Sequence, residues 1–311
     1  MPSSHNLLSL ESKIGGSDQE IKFRMSTISR SLFLALLLSA AGGSVIASDS
    51  AVGADFSNYV VSWSGDYLFA TIDTHDATPV HRVFVIETAH PDQRTAIGDD
   101  YESKGFAGVY CSKDEQWLCV NVAFPVHRVE CHVFKHVGDR RFDEVTTPDI
   151  NAKAKLIFEN TASPGTTFDA VYGQYWNEDL LVLSASGRQE KHGDFYDDEM
   201  FLQYDPAKGI VSTLSKHFVS PMGHGADERQ DPAYQTYDEA STKAQEESLD
   251  HQLNTIYHLL QPKLAAAAAG TLASEQKQWE LARDKQAAGY ERDSFIEQRI
   301  NLLAAKFLAL R

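Results

Sequence analysis

The chain has 311 residues, of which 42% are hydrophobic, so it is long enough to form two domains with buried cores. Its formal net charge is −16 at pH 7. Nucleic acids and anionic membranes would repel such a surface, which excludes both as partners. A basic protein partner is compatible with the acidity, and so is a simple role in solubility.

Residues 25–47 have the pattern of a secretory signal peptide. Arg30 supplies a positive charge, residues 32–38 form an apolar run too short to span a bilayer, and residues 45–47 suit cleavage. We interpret residues 1–24 as a non-native upstream extension. The pattern predicts a bacterial periplasmic or secreted protein, residues 48–311, with no stable membrane anchor after cleavage; the competing interpretation is an uncleaved anchor.

Residues 48–218 contain three similar units, each predicted to be a strand, a polar turn and a second strand. The first two units share the pentapeptide Pro-Val-His-Arg-Val, at 79–83 and 125–129. Units of roughly 50–60 residues with four short strands are typical of β-propeller blades, and three are fewer than the usual closed ring needs. We therefore expect an antiparallel β domain that is a partial propeller, a ring completed by a second copy of the chain, or a sandwich.

The three cysteines lie within this β domain, at Cys111, Cys119 and Cys131. An exported protein with an odd number of cysteines has one thiol left over. Cys119–Cys131 on adjacent strands is the favoured disulfide, and Cys111–Cys119 across a hairpin turn is the alternative.

Polar clusters in the β domain give no strong chemical signature. His132 and His136 have a spacing that suits zinc on a helix, but their surroundings alternate as a strand does. An acidic segment is predicted to be a loop that could contact a partner, and its spacing is not that of an EF-hand. The segment contains Asp194, Asp197, Asp198 and Glu199. No nucleophile elbow, phosphate loop or dinucleotide motif is present, so we predict a non-enzymatic protein without a cofactor or metal.

Residues 219–237 are predicted to be a linker, and residues 238–311 a helical domain. Leucine and isoleucine recur at helical spacing from Leu249 to Leu264, and Pro262 should end the first helix. Thr271 is the expected N-cap of a second helix that stops before Gly289, and a third should cover about 292–310. The short connections predict an antiparallel hairpin or three-helix domain, and an α+β fold overall.

An ordered set of residues in these helices resembles the lysozyme inhibitor LprI-like (N-terminal domain) family. The resemblance covers about residues 237–305, and no cysteine occurs in 220–311, where the family has a disulfide. The residues that carry it are Leu253, Asn254, Tyr257, Gln276, Trp279, Arg283, Asp284 and Arg299.

The resemblance implies an exported protein that binds and inhibits a basic lysozyme. The alternative is a periplasmic scaffold, or a ligand-binding propeller-like module with a helical interaction domain, which could assemble with copies of itself through the β domain. We expect structural roles for the motif. Trp279 should pack against Tyr257 and leucines of the preceding helix, and Arg283 and Asp284 should form a network with Asn254.

Overall fold

A computed structural model describes residues 56, 58–73, 81–101, 105–124, 128–191, 193–221, 231–286 and 289–310. The predicted signal peptide and upstream extension lie outside these residues. The fold is mixed, with antiparallel sheets in the N-terminal part and four helices, three of which follow the last sheet.

Each of three sheets is a meander in which consecutive strands pair antiparallel. Sheet 1 contains β1 (Asn58–Val61), β2 (Tyr67–Asp73), β3 (His81–Glu87) and β4 (Arg94–Tyr101). Sheet 2 contains β5 (Gly105–Cys111), β6 (Trp117–Ala123), β7 (Val129–Gly138) and β8 (Arg141–Glu144). Sheet 3 contains β9 (Thr166–Asn177), β10 (Leu180–Lys191), β11 (Asp194–Asp205) and β12 (Ile210–Thr213), and β13 (Phe218–Pro221) also pairs with β11.

The first hairpins of sheets 1 and 2 close with the same hydrogen bonds. The Ser62 amide donates to the Tyr67 carbonyl at 2.9 Å, and the Tyr67 amide donates to the Ser62 hydroxyl at 3.1 Å. Ser112 and Trp117 repeat both bonds, at 2.9 and 3.0 Å. A serine that accepts a hydrogen bond across the turn fixes the hairpin register, so this part of the sequence repeat is also repeated in the structure.

The sheets are joined by shared apolar cores. Phe69 and Val85 of sheet 1 pack with Leu118 and Phe134 of sheet 2. The opposite face of sheet 2 packs against sheet 3, and that core also includes the helix α1 (Ile150–Thr161). The sequence interpretation missed α1, although Asp149 accepts a hydrogen bond from the Ala152 amide as its N-cap.

The C-terminal helices are α2 (Pro232–Leu260), α3 (Ala266–Arg283) and α4 (Tyr290–Ala309). A short 3₁₀ turn at Gln261–Lys263 follows α2, where Pro262 was expected to end it. Thr271 is not an N-cap: α3 begins at Ala266, and the Thr271 hydroxyl donates to the Ala267 carbonyl inside the helix. Gly289, with φ 96°, precedes the first residue of α4 instead of ending α3.

The helices share a core with sheet 1. Leu253, Ile256 and Ile300 pack in one cluster with Val61 and Leu68. Strand β13 and helix α2 also extend into the segment predicted to be a linker, residues 219–237. The helical region is therefore built onto sheet 1, and it uses that sheet as one wall of its own core.

None of the helices in the described ranges is long and apolar enough to span a membrane.

Candidate functional site

A cavity of about 550 Å³ lies where the three sheets meet α2. The first strand of each sheet contributes to its wall, through residues such as Val60, Tyr110 and Tyr175, and α2 contributes Ser241 and Gln252. Such a volume is in the usual range for small-molecule sites. The cavity is therefore the candidate functional site.

Two tryptophans hold the first strands together around the cavity. The Trp63 indole N–H donates to the Cys111 carbonyl at 3.2 Å, and the Trp176 indole N–H donates to the Tyr110 carbonyl at 3.0 Å. Both acceptors lie on β5, so sheets 1 and 3 are each fixed to the same strand of sheet 2. These bonds give the cavity a rigid wall.

Glu297, on α4, is half-buried and lines this cavity. Burial, with a contribution from the negative charge of Asp293, raises the pKa of Glu297 to about 7. Burial likewise raises the pKa of Asp293 to about 6, and Glu246 adds to this effect. A carboxyl with such a pKa changes its charge near neutral pH.

Tyr110 and Glu199 supply further polar groups. Burial raises the pKa of Tyr110, and the charge of Glu297 contributes to that rise. Gly108 makes room for that ring, since a Cβ there would lie 2.7 Å from the Tyr110 hydroxyl oxygen. Glu199 accepts hydrogen bonds from the hydroxyls of Ser184 and Tyr234, the latter at 3.0 Å.

The predicted acidic loop is a strand, because Asp194–Asp205 forms β11 between β10 and β12. Alternation along the strand separates its acidic side chains. Asp194 and Asp197 are exposed, Asp198 is fully buried, and Glu199 faces the cavity. The four residues therefore do not form one acidic surface for a partner.

Asp198 belongs to a buried polar chain. Its Oδ1 lies 2.7 Å from His217 Nδ1, and His217 Nε2 lies 2.8 Å from the Thr161 hydroxyl. Burial raises the pKa of Asp198, and His217 opposes that rise. The order hydroxyl, imidazole, carboxylate is that of a catalytic triad, but Thr161 also donates to the Ile157 carbonyl of α1 at 2.8 Å. The arrangement fastens the end of α1 to sheet 3.

Cys119 and Cys131 point into the interface between sheets 2 and 3, with their sulfur atoms 3.5 Å apart. Cys111 packs in the cluster on the other face of sheet 2, so the alternative bridge to Cys119 does not fit this geometry. The Cys119–Cys131 disulfide stays a prediction. Burial raises the pKa of both Cys111 and Cys119, which disfavours a reactive thiolate.

The two histidines considered for zinc lie on β7. His132 Nδ1 contacts Glu144 Oε1 at 2.7 Å, and His136 Nε2 contacts the Asp139 carbonyl at 2.8 Å. Within the part of the chain that the structure describes, no three metal-ligating side chains are grouped to hold a metal ion.

The family-motif residues mostly hold the helices together. Leu253 is in the core, and Gln276 is buried and accepts a hydrogen bond from Arg299 Nε at 3.1 Å. Burial lowers the pKa of Arg299. Tyr257 packs at the edge of this core, and its hydroxyl accepts a hydrogen bond from Gln261 at 3.0 Å.

Trp279 lies, like Tyr257, at the edge of the core that contains Leu253 and Leu260, and it was expected to pack against Tyr257 and leucines of the preceding helix. Its ring is parallel to that of Phe295 on α4, with centroids 5.3 Å apart, and the Arg283 guanidinium lies 5.5 Å from its centroid. Arg283 pairs with Asp284 at 3.0 Å, while Asn254 is exposed and outside this network.

No family model and no curated protein matches the chain. Among solved structures, the periplasmic gluconolactonase PpgL of Pseudomonas aeruginosa is similar at 12% identity, over 55% of this chain and 72% of that chain, with a TM-score of 0.18. A score this low establishes neither a shared fold nor a shared activity, so function is argued from the cavity.

The sequence interpretation did not single out Glu297, Tyr110 or Tyr175. One signal was available: Glu297 directly follows the core residue Ile296 on an amphipathic helix. An acidic residue beside the apolar stripe is common on helices, so this signal alone does not identify a cavity.

Proposed function

We propose that the protein is an exported, non-enzymatic binding protein whose receptor site is the central cavity. The proposal is supported above all by the composition of the cavity wall, because all three sheets and α2 contribute side chains to it. A site at the meeting point of several elements is typical of small-molecule binding. The predicted signal peptide supports a periplasmic or secreted location for this function.

The finer architecture that we propose is an incomplete propeller. Three blade-like sheets would place β1, β5 and β9 around the cavity, and α2 would occupy the gap between sheet 3 and sheet 1. Phe201 of sheet 3 stacks on Tyr237 near the start of α2, with ring centroids 4.6 Å apart. Val61 of sheet 1 donates its amide to Gln252, farther along α2, at 3.0 Å. Closure by α2 would leave no need for a second copy of the chain.

A screen of polar small molecules by thermal shift tests the cavity proposal. A ligand at about one hundred times its Kd should stabilise the protein by about 2.7 kcal/mol. Ala244 lines the cavity on α2, so Ala244→Trp should fill it and remove the stabilisation. Ala268→Trp on the exposed side of α3 is the matched control and should respond as the unmodified protein does. Equal stabilisation of both variants would refute the proposal.

Binding of a basic lysozyme remains a second proposed function. The formal net charge of −16 would speed the encounter with a cationic enzyme, and this effect weakens with salt. Most of the motif residues pack between helices, whereas Asn254 and Asp284 are exposed, so a contact surface would include those two or lie elsewhere on the molecule.

A lysozyme activity assay with an excess of the protein, at low and moderate salt, tests this second function. Inhibition that is stronger at low salt would support it. Full lysozyme activity at both salt concentrations would rule it out, and the cavity proposal would be unaffected.

A further inference from the structure

We infer that the cavity accepts a small organic cation, whose ammonium or guanidinium group pairs with the carboxylate of Glu297. This inference rests on the proposed receptor function and adds the chemical class of the ligand.

The charged groups that line the cavity are mainly acidic. Lys113 and Glu247 form an ion pair at 2.6 Å, so their charges compensate each other. When ionised, the remaining acidic groups outnumber the one remaining lysine by four to one, which repels anions and attracts cations. Besides Glu297, the charged lining residues are Lys113, Glu178, Glu199, Asp238, Lys243 and Glu247.

Glu297 is one of the acidic lining groups for which the described residues provide no counterion, and it is the one whose pKa is raised to about 7. In the described part of the chain, no side chain or amide forms an ion pair or a hydrogen bond with its carboxyl. The charge that acts on it from α4 is that of Asp293, which is itself acidic, and Tyr110 lines the same cavity. Partial burial disfavours the charge of an unpaired carboxylate, and a cationic ligand would pair with it.

Two tyrosines on the cavity wall suit the same ligand. Tyr110 and Tyr175 both line the cavity. A cation within about 6 Å of such a ring gains roughly 0.5–2 kcal/mol. Trp63 is not available for this role, because its ring stacks on His251 at 4.4 Å and lies under the Lys113 ammonium at 5.0 Å.

Isothermal titration calorimetry with two matched pairs of probes tests the inference on the full-length protein. The cations are putrescine and butylguanidinium, and their neutral isosteres are 1,4-butanediol and butylurea. We expect each cation to bind at least about tenfold more tightly than its isostere. Glu297→Gln should remove this preference, whereas Glu291→Gln, an exposed site on the same helix, should retain it.

Proton release gives a second readout that a purely structural role of Glu297 would not produce. With a pKa of about 7, Glu297 is half protonated at neutral pH, and a bound cation would displace up to about half a proton. Titrations in two buffers with different ionisation enthalpies measure that proton. The release should persist in Glu291→Gln and disappear in Glu297→Gln.

Several outcomes would overturn the inference. These are equal affinity for cations and isosteres, no binding of either cation, or cation binding that Glu297→Gln leaves unchanged. If a neutral isostere binds and Ala244→Trp abolishes that binding, the receptor function stands while the cationic class is wrong. If Ala244→Trp leaves the binding of every probe and every ligand of the wider screen unchanged, both proposals fail.

Discussion

At the scale of single residues, Glu297 and Asp293 are carboxyls kept in surroundings that disfavour their charge. Burial raises the pKa of Glu297 from 4.5 to about 7 and that of Asp293 from 3.8 to about 6. The folded protein therefore binds protons more tightly than the unfolded chain. Protonation of the two carboxyls stabilises the fold fully below about pH 4, and this stabilisation is lost as pH rises through 6 to 7. A loss of folding stability of this kind is typical of functional sites.

Glu297→Gln should raise stability at pH 8, because a neutral amide avoids the buried charge. The expected gain is on the order of 2 kcal/mol at pH 8, and it should shrink towards zero at pH 5, where Glu297 is protonated. Urea denaturation at the two pH values measures the difference. The control Glu291→Gln should change the stability by a similar small amount at pH 5 and at pH 8. A gain that is identical at pH 5 and pH 8 would contradict the assignment.

At the scale of elements, the interface between sheets 2 and 3 depends on one amide and one glycine. The Asn121 side chain donates to the Gly173 carbonyl and accepts from the Gly173 amide, both at 2.8 Å. The Asn121 amide thereby satisfies the two backbone groups of Gly173 that a neighbouring strand would otherwise bond. A Cβ on Gly173 would lie 2.2 Å from Cys119 Sγ, so close packing requires glycine here.

Gly173→Ala should destabilise the protein by about 3 kcal/mol, because the added methyl overlaps a buried sulfur. Cys119→Ala in the same chain removes that sulfur and leaves the next atoms at 3.4 Å, so the double variant should lose less than the sum of the single ones. A double-mutant cycle by urea denaturation measures this coupling. The control is Gly270→Ala on exposed α3, which should stabilise by up to about 1 kcal/mol. If the double variant loses as much stability as the two single variants together, the overlap of the new methyl with Cys119 is relieved in another way.

Trp279→Ala tests how α3 is attached to α4. Loss of the stacking on Phe295 should cost about 3 kcal/mol. Because α4 also packs on α2 and sheet 1, we expect helical and near-ultraviolet circular dichroism to report one lowered melting transition. Leu281→Ala, at a side chain that is 58% exposed on α3, should leave that transition nearly unchanged. Unchanged helicity with loss of a partner would mean that Trp279 is a binding residue.

The elements that the sequence predicts well are those whose signals are local. The hairpin turns at residues 62–66 and 112–116 follow from their polar residues, and Pro262 marks the end of α2. The acidic segment was misread because its charges alternate between the two faces of β11, and the buried Asp198 pairs with His217, which is distant in sequence. Tyr110 of β5 lines the same cavity as Glu297 of α4, and such long-range proximity has no local signature.

At the scale of the whole molecule, α2 connects the two ends of the β region. Tyr237 near its start contacts sheet 3, and Gln252 and Leu253 contact sheet 1. The same helix provides one wall of the cavity, so ligand binding and attachment of the helices depend on one element. Residues 220–311 contain no cysteine, and sheet 1 supplies apolar surface that a separate helical domain would lack.

This shared core leads to a prediction for the predicted linker. A protease that cuts full-length protein between residues 222 and 231 should give a β fragment and a helical fragment that remain associated, because Val61, Leu68 and Ile86 pack with helix residues. The pair should elute from a gel-filtration column as the intact protein does and separate only in denaturant. Without sheet 1, the helical fragment should lose most of its helical circular dichroism, since isolated helices need tertiary packing. A helical fragment that separates in native buffer and stays folded would show that the helices form a domain of their own.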